Sequence, residues 1–145
     1  PENLHEWNIR QRKRLTAIMA GALRGARDEN APLLFNNVLA YTGYRVTPMK
    51  RHARGALRLY PDRLVFMPTD AGRRAFEFPI ERIEGLTFLR RHIEFYFDRT
   101  LYRFRFLSKY GSSLKWNDAI GILKDRRLAG NQATAERQLE ALVAR

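Results

Sequence analysis

Basic residues cluster in two short stretches of the chain, and their type and spacing suit the binding of a phosphate group. The first stretch, 47–55, contains Pro48 and ends at Gly55; the second, 68–74, begins at Pro68, so both are predicted to be loops. The cations in them are Lys50, Arg51 and Arg54 in the first stretch, and Arg73 and Arg74 in the second. Lysine and arginine donate several charge-assisted hydrogen bonds to a phosphate. The two loops are therefore candidate anion-binding sites, and solvated basic turns are the alternative.

Catalytic chemistry has little support in the sequence. The histidines His5, His52 and His92 are far apart, and no HExxH, GxSxG, P-loop or GxGxxG motif occurs. Acidic residues stand beside arginines, as in Asp98 and Arg99, which is typical of solvated ion pairs. The chain has no cysteine, which excludes disulfides, a thiol nucleophile and thiolate metal ligands. We expect a binding protein without catalytic residues, metal site or cofactor.

The whole chain is strongly basic. Its 145 residues include 27 Lys and Arg against 15 Asp and Glu, a formal net charge of +12. Such a charge attracts nucleic acid, anionic lipid head groups or an acidic protein surface, and does not choose between them. The length suits one domain with helical extensions. Because no stretch approaches the roughly 18 apolar residues of a spanning helix, we expect a cytoplasmic protein, at most peripheral to a membrane.

Short strands are predicted through the middle of the chain, because large apolar residues recur there at every second position. The predicted strands lie at about 38–46, 57–59, 64–67, 76–80, 83–88, 93–97 and 101–107. Turns are predicted at 60–63 and at Asp98-Arg99, and Pro79 indicates that its strand ends there or lies at an edge of the sheet. Short strands at this spacing indicate an antiparallel sandwich or barrel.

Helices are predicted on both sides of these strands. Residues 4–27 form a basic amphipathic pattern with Trp7 on the apolar face and Lys13 and Arg14 off it, which suits packing on the domain, a membrane surface or a partner. A second helix is predicted from the Ser112-Ser113 cap, with an apolar face of Trp116, Ala119, Ile120 and Leu123. We expect Gly130 and Asn131 to end it. A last helix then carries an apolar stripe of Ala135, Leu139, Leu142 and Val143, which we expect to pack on its own domain, with a partner chain as the alternative.

Several of these segments resemble one known family. The stretches Gly55–Phe66, Phe76–Ile83 and Tyr102–Phe106, with Trp116 in the following helix, look like a GRAM or pleckstrin-homology-like domain over about 38–123. The resemblance implies a mainly β, α+β fold: a seven-stranded bent antiparallel sandwich or barrel capped by a C-terminal helix. It divides the chain into an N-terminal helix (1–30), the domain (31–127) and a helical extension (128–145).

The resemblance also implies binding, since members engage phosphoinositides or other anionic lipids, or dock proteins. In the lipid-binding members, cations between the first two strands hold the phosphates, and Lys50, Arg51 and Arg54 have a similar place here.

Three functions follow as hypotheses. The first is a peripheral membrane module whose basic loops bind anionic phospholipid, helped by the N-terminal helix. The second is a scaffold that docks an acidic protein or another copy of the chain as a homo-oligomer. Nucleic-acid binding is third, because the aromatic residues at 102–106 alternate at period two and are expected to face the core, where they cannot stack on bases.

Overall fold

Seven antiparallel strands form one sheet in the computed structural model, which describes residues 9–10, 13–14, 31–44, 48–108 and 112–144. The strands are β1 (Leu34–Gly43), β2 (Lys50–Leu59), β3 (Arg63–Pro68), β4 (Phe76–Pro79), β5 (Glu84–Leu89), β6 (His92–Phe97) and β7 (Thr100–Phe106). Their order across the sheet is β4-β3-β2-β1-β7-β6-β5, and a short 3-10 turn at Ile80–Arg82 carries the chain from one edge strand to the other. The predicted α+β class and the seven antiparallel strands are confirmed.

The sheet curls into a half-barrel around an aromatic core. The Phe78 ring on edge strand β4 lies 4.9 Å from the Phe95 ring on β6 and 5.2 Å from the Phe97 ring, measured between centroids. Strands β4 and β6 stand near opposite ends of the strand order, so they meet only because the sheet bends on itself. Pro79 ends β4 at an edge of the sheet, as predicted, where its missing N–H leaves no ladder bond unmade.

The hairpin turns follow the sequence signals closely. Strands β6 and β7 are joined by Asp98 and Arg99, whose φ angles are 48° and 66°. Two successive left-handed residues match the right-handed twist of the flanking strands, which is the geometry of a tight hairpin. The predicted turn at Asp98-Arg99 is confirmed.

The first strand begins earlier than predicted. The prediction missed its beginning because a polar residue interrupts the apolar pattern of its inner face. Strand β1 starts at Leu34 and ends at Gly43, whereas the alternation predicted 38–46; residues 45–47 lie outside the described part. Asn36 is the interruption, because it shares the inner face with Val38. Its side-chain Oδ1 accepts a 2.8 Å hydrogen bond from the indole Nε1 of Trp116. The polar side chain is thus satisfied by the helix that packs against this end of the sheet.

Helix α1 (Ser112–Val143) packs its first three turns on the sheet. Trp116 is fully buried and lies 5.6 Å from Phe106 between ring centroids. At the two ends of this contact, Ser113 Oγ donates to the carbonyl of Arg90 at 3.4 Å, and Lys124 Nζ donates to the carbonyl of Ile83. The predicted start and apolar face of this helix are confirmed.

The predicted break at Gly130 and Asn131 is wrong, because α1 continues through both residues to Val143. A glycine inside a helix costs only about 1 kcal/mol relative to alanine. The surrounding Ala, Gln, Glu, Arg and Leu residues are mostly good helix formers and outweigh that cost. The expected boundary between 127 and 128 therefore falls inside one continuous helix.

The distal half of α1 projects from the sheet. Leu139, Leu142 and Val143 are 64%, 65% and 81% exposed, so the prediction that this stripe packs on its own domain is wrong. The side chain of Ala135 lies outside the described part. At the other end of the chain, Ile9, Arg10, Lys13 and Arg14 are helical and exposed, and the remainder of the predicted helix at 4–27, including Trp7, lies outside the described residues.

Candidate anion-binding site

A cleft of about 530 Å³ opens where strand β2 extends beyond its neighbour β3. Strand β3 pairs with β2 only from Gly55 to Leu59, so the first half of β2 has β1 on one side and the loop after β3 on the other. The Thr69 N–H donates to the Arg54 carbonyl at 2.9 Å and holds the loop beside the strand. The cleft is lined by Arg51, His52, Ala53, Arg54, Thr69, Asp70 and Arg73.

The predicted loop at 47–55 is wrong from Lys50 onward, because these residues begin β2. The hydrophobic pattern does not show this, because Lys50, Arg51 and His52 are all polar and no apolar residue alternates with them. Pro48 and Met49 precede the strand without helical or strand assignment. The cations therefore sit on a hydrogen-bonded strand rather than on a free loop, which fixes their backbone positions.

A β-bulge at His52 shapes the cleft. Ala40 pairs with Ala53 while the next residue, Tyr41, pairs with Arg51, so His52 is an extra residue in β2. The bulge brings the His52 ring against core aromatics, with its centroid 4.6 Å from that of Phe76. His52 Nε2 lies 2.8 Å from the Arg74 carbonyl, and because a carbonyl only accepts, Nε2 carries the hydrogen. This contact ties the loop at 69–75 to β2.

The loop that forms the other wall is held by its own hydrogen bonds. Asp70 Oδ1 accepts from the Gly72 N–H at 3.0 Å, and the Arg73 N–H donates to the Asp70 carbonyl at 3.1 Å. These bonds make a compact turn in which Asp70 acts on the backbone. Arg73 follows the turn and lines the cleft opposite β2.

The charge of the cleft is positive. Three guanidinium groups, those of Arg51, Arg54 and Arg73, line it against the single carboxylate of Asp70. Within the part of the chain that the structure describes, none of the three arginines has an ion-pair partner. Their hydrogen-bonding capacity is therefore available to an anion entering the cleft.

The five cations predicted for this site do not all meet. Arg51, Arg54 and Arg73 come together, whereas Lys50 and Arg74 do not line the cleft. Lys50 pairs with Thr42, on the opposite face of the sheet from Arg51, and Arg74 contributes its carbonyl to His52. Burial raises the pKa of Tyr102, and the charge of Arg74 acts in the opposite direction.

His52, Thr69 and Asp70 also line the cleft and were not predicted as site residues. The signals for Thr69 and Asp70 were present in the predicted basic loop at 68–74. The sequence does not indicate the position of His52 in the cleft, because a bulge depends on how its strand pairs with a neighbouring strand from another part of the sequence.

A second cleft, of about 420 Å³, differs because its charges are already paired. Arg63 lies 2.8 Å from Asp62 and 3.3 Å from Glu77, and Arg127 lies 2.8 Å from Glu81. The Glu81 backbone hydrogen bond, followed by the bond from Arg127, lowers the pKa of the Glu81 carboxyl. Internal neutralisation leaves little positive charge there for an external anion.

Across the described ranges, no group of three or more His, Asp or Glu side chains is placed to hold a metal ion. None of the helices in the described part combines the length and the apolar composition needed to cross a membrane. Lys13 and Arg14, predicted for a membrane or partner helix, are exposed there, and their predicted companion Trp7 lies outside the description.

Comparison of the chain with models of known protein families and with curated proteins found no match.

Proposed function

We propose that the chain is a non-enzymatic binding module that attaches to anionic, phosphorylated lipid head groups through the cleft at the start of β2. The observation that carries the proposal is the convergence of Arg51, Arg54 and Arg73, all without ion-pair partners among the described residues, on one open cleft. Guanidinium groups bind phosphate in a bidentate manner, and three of them can surround one head group.

We further propose that the fold is of the pleckstrin-homology or GRAM type. A curled seven-stranded antiparallel sheet followed by a helix supports this assignment, as does the burial of Trp116 of that helix against Phe106. The cleft lies at the start of the second strand, near the place where the resemblance implies phosphate-binding cations. The fold and the charge distribution therefore each support the proposed lipid-binding function.

The electrostatics favour a membrane location for the occupied cleft. Each cation near an anionic bilayer contributes about 1 kcal/mol, and the attraction decays within a Debye length, about 8 Å at physiological salt. Because the three arginines line one cleft, we expect their attractions to the bilayer to add. Binding is then expected to weaken strongly as salt is raised.

Vesicle sedimentation tests the proposal with two matched double variants. The cleft pair, Arg51→Gln with Arg73→Gln, removes two lining cations. The control pair, Arg82→Gln with Arg126→Gln, removes the same charge from exposed positions outside the cleft. Wild type and control pair should sediment with phosphatidylcholine vesicles containing phosphatidylinositol bisphosphate, and the cleft pair should remain in solution.

Phosphatidylserine vesicles of equal surface charge show whether the head-group phosphates matter beyond the bilayer potential. Failure of the wild type to bind any anionic vesicle at modest salt refutes the proposal. Equal loss in the two pairs also refutes it, because net charge rather than the cleft then governs binding.

A scaffold role is the second candidate, favoured by the exposed apolar stripe on the distal half of α1. Leu128, Leu139 and Leu142 fall on one side of the helix and are 47%, 64% and 65% exposed. Pairing of two copies through this stripe would cover its exposed leucines, which fits a homodimer. Sedimentation equilibrium should then show a mass that rises with concentration, and Leu139→Gln with Leu142→Gln should abolish the rise.

A further inference from the structure

Besides the cleft residue Arg54, the outer face of the sheet carries Arg58 and Arg105, which the cleft does not use. Leu39 on β1 pairs with Arg54 on β2 and with Arg105 on β7, so the two arginines flank it on the outer face. Neighbouring strands lie about 4.8 Å apart, which separates the Arg54 and Arg105 backbones by roughly 10 Å. Arg58, four residues along β2 from Arg54, shares this face at a distance of roughly 13 Å.

These arginines form no ion pairs with the described residues. Among the described residues, Arg54, Arg58 and Arg105 form no ion pair, whereas Arg103, on the same face, is bonded to Glu94 at 2.5 Å. The contrast shows that the face has both neutralised and unneutralised positions. The guanidinium groups of Arg54 and Arg58 on β2 and of Arg105 on β7 are spread over the face instead of meeting at one point.

An exposed aromatic ring accompanies them. Phe35 on β1 pairs with Arg58, is 51% exposed, and has the Arg58 guanidinium carbon 5.6 Å from its ring centroid. The guanidinium lies over one face of the ring, and the exposed part of the ring offers a surface on which a nucleobase can stack, because every base has a π-face. The other apolar residues of this face, such as Met67 and the half-buried Leu39, are interspersed with arginines and asparagine and do not form one broad apolar patch.

We propose that this outer face, defined by Phe35, Arg54, Arg58 and Arg105, binds single-stranded nucleic acid. Cations spread over the face suit successive phosphates of an extended polyanion better than a single head group, and Phe35 supplies a stacking contact. A flat bilayer touches a convex sheet only along a narrow strip. A protein partner generally covers a more continuous apolar centre than this face offers.

The inference goes beyond the lipid-binding proposal and does not depend on it. The aromatic residues at 102–106 that made nucleic acid the third hypothesis from sequence are turned inward or half-buried. The stacking ring of the proposed surface belongs to Phe35. It lies in the first part of β1, which the sequence pattern did not predict. Arg54 belongs to both surfaces, so the test relies on residues that belong to only one.

Fluorescence anisotropy with a fluorescein-labelled oligothymidylate of about 16 nucleotides measures the binding. Three phosphate contacts predict that log K falls with log salt at a slope of about −2, since each contact on a single strand contributes about −0.7. The face pair, Arg58→Gln with Arg105→Gln, should reduce the size of the slope by about 1.4 and weaken binding at low salt by roughly tenfold. Phe35→Ala should weaken binding by about fivefold or more and leave the slope unchanged, because stacking releases no counterions.

Matched controls separate this face from net charge and from the cleft. The control pair, Arg82→Gln with Arg126→Gln, should retain oligothymidylate affinity within about threefold, although it loses the same charge as the face pair. The cleft pair, Arg51→Gln with Arg73→Gln, should lose less affinity than the face pair, because only its Arg51 lies on the outer face. The face pair should still sediment with anionic vesicles. The lipid and nucleic-acid proposals can therefore fail separately.

Three results overturn the inference. The first is no oligothymidylate binding at low salt, and the second is an equal loss of affinity in the face pair and the control pair. The third is that polyglutamate of equal length competes as effectively as unlabelled oligothymidylate, because the face then binds acidic chains in general. Near-ultraviolet circular dichroism on each variant verifies that the substituted, surface-exposed positions leave the fold intact.

Discussion

The two halves of helix α1 should differ widely in their response to the same kind of substitution. Ile120 is fully buried against the sheet, whereas Leu139 is 64% exposed on the projecting half. Ile120→Ala removes three carbon atoms from the core, worth about 0.8 kcal/mol each in transfer free energy, or roughly 2.4 kcal/mol. The cavity left behind raises the expected loss in the free energy of unfolding to about 3–4 kcal/mol.

Leu139→Ala should change the free energy of unfolding by less than about 0.5 kcal/mol, since the side chain is mostly in water and alanine is the better helix former. Urea unfolding followed by far-ultraviolet circular dichroism measures both variants, and equal slopes with urea concentration show that the unfolding transition is the same. The measurement is made at two protein concentrations, because self-association through the stripe would make the Leu139 result depend on concentration. A loss for Leu139→Ala close to that of Ile120→Ala at both concentrations refutes the reasoning, because the distal half must then pack on its own sheet.

Four further predictions concern single positions. Gly55→Ala should destabilise the fold by about 1–3 kcal/mol, because the new Cβ would lie 2.3 Å from the Met67 carbonyl oxygen. Gly121→Ala should stabilise it by about 0.8–1.0 kcal/mol, since no atom lies within 4 Å of the new Cβ; chemical denaturation compares the two. Burial, and then the Arg103 charge, lowers the pKa of His92 from its ordinary value of 6.5. The unfolded chain therefore binds this proton more tightly, and stability that is complete above pH 6.5 should be lost as the pH falls toward the lower native pKa. His92→Gln should flatten that part of a stability curve against pH. Arg99→Gly should raise the melting temperature, because Arg99 has a φ of 66°, a conformation that costs a side-chain-bearing residue about 1–2 kcal/mol.

Local periodicity was sufficient for the elements whose two faces differ clearly. Strand β6 alternates buried Ile93 and Phe95 with the more exposed Glu94 and Tyr96, so its inner face could be assigned from sequence. The tight turn at Asp98-Arg99 and the beginning of α1 were predictable for the same reason, since both depend on neighbouring residues. These features required no knowledge of which strands pair.

The errors arose where distant contacts overrule the local pattern. Asn36 belongs to the inner face because Trp116, far along the chain, donates a hydrogen bond to it. Lys50 and Arg51 belong to a strand because β1 pairs with them, although their side chains are exposed. Arg54 and Arg105 flank Leu39 because of the register of strands β2, β1 and β7, and no single segment of the sequence shows this arrangement. The candidate cleft was therefore predictable as a basic region, but not as a particular set of three arginines.

The unequal lengths of β2 and β3 explain why this sheet has a cleft at all. Strand β2 has ten residues and β3 has six, so β2 continues past Pro68 without its neighbour. A strand that loses its neighbour exposes backbone N–H and C=O groups along one edge, and a free edge is a place where other chains add. Here the loop at 69–75 crosses that edge and is attached by Thr69 to Arg54 and by Arg74 to His52, which covers the edge and leaves a gap. Arginines at the rim of this gap oppose the approach of another basic copy of the same chain and favour an anion instead. The same feature thus protects the sheet from edge-to-edge association and creates the charged cleft.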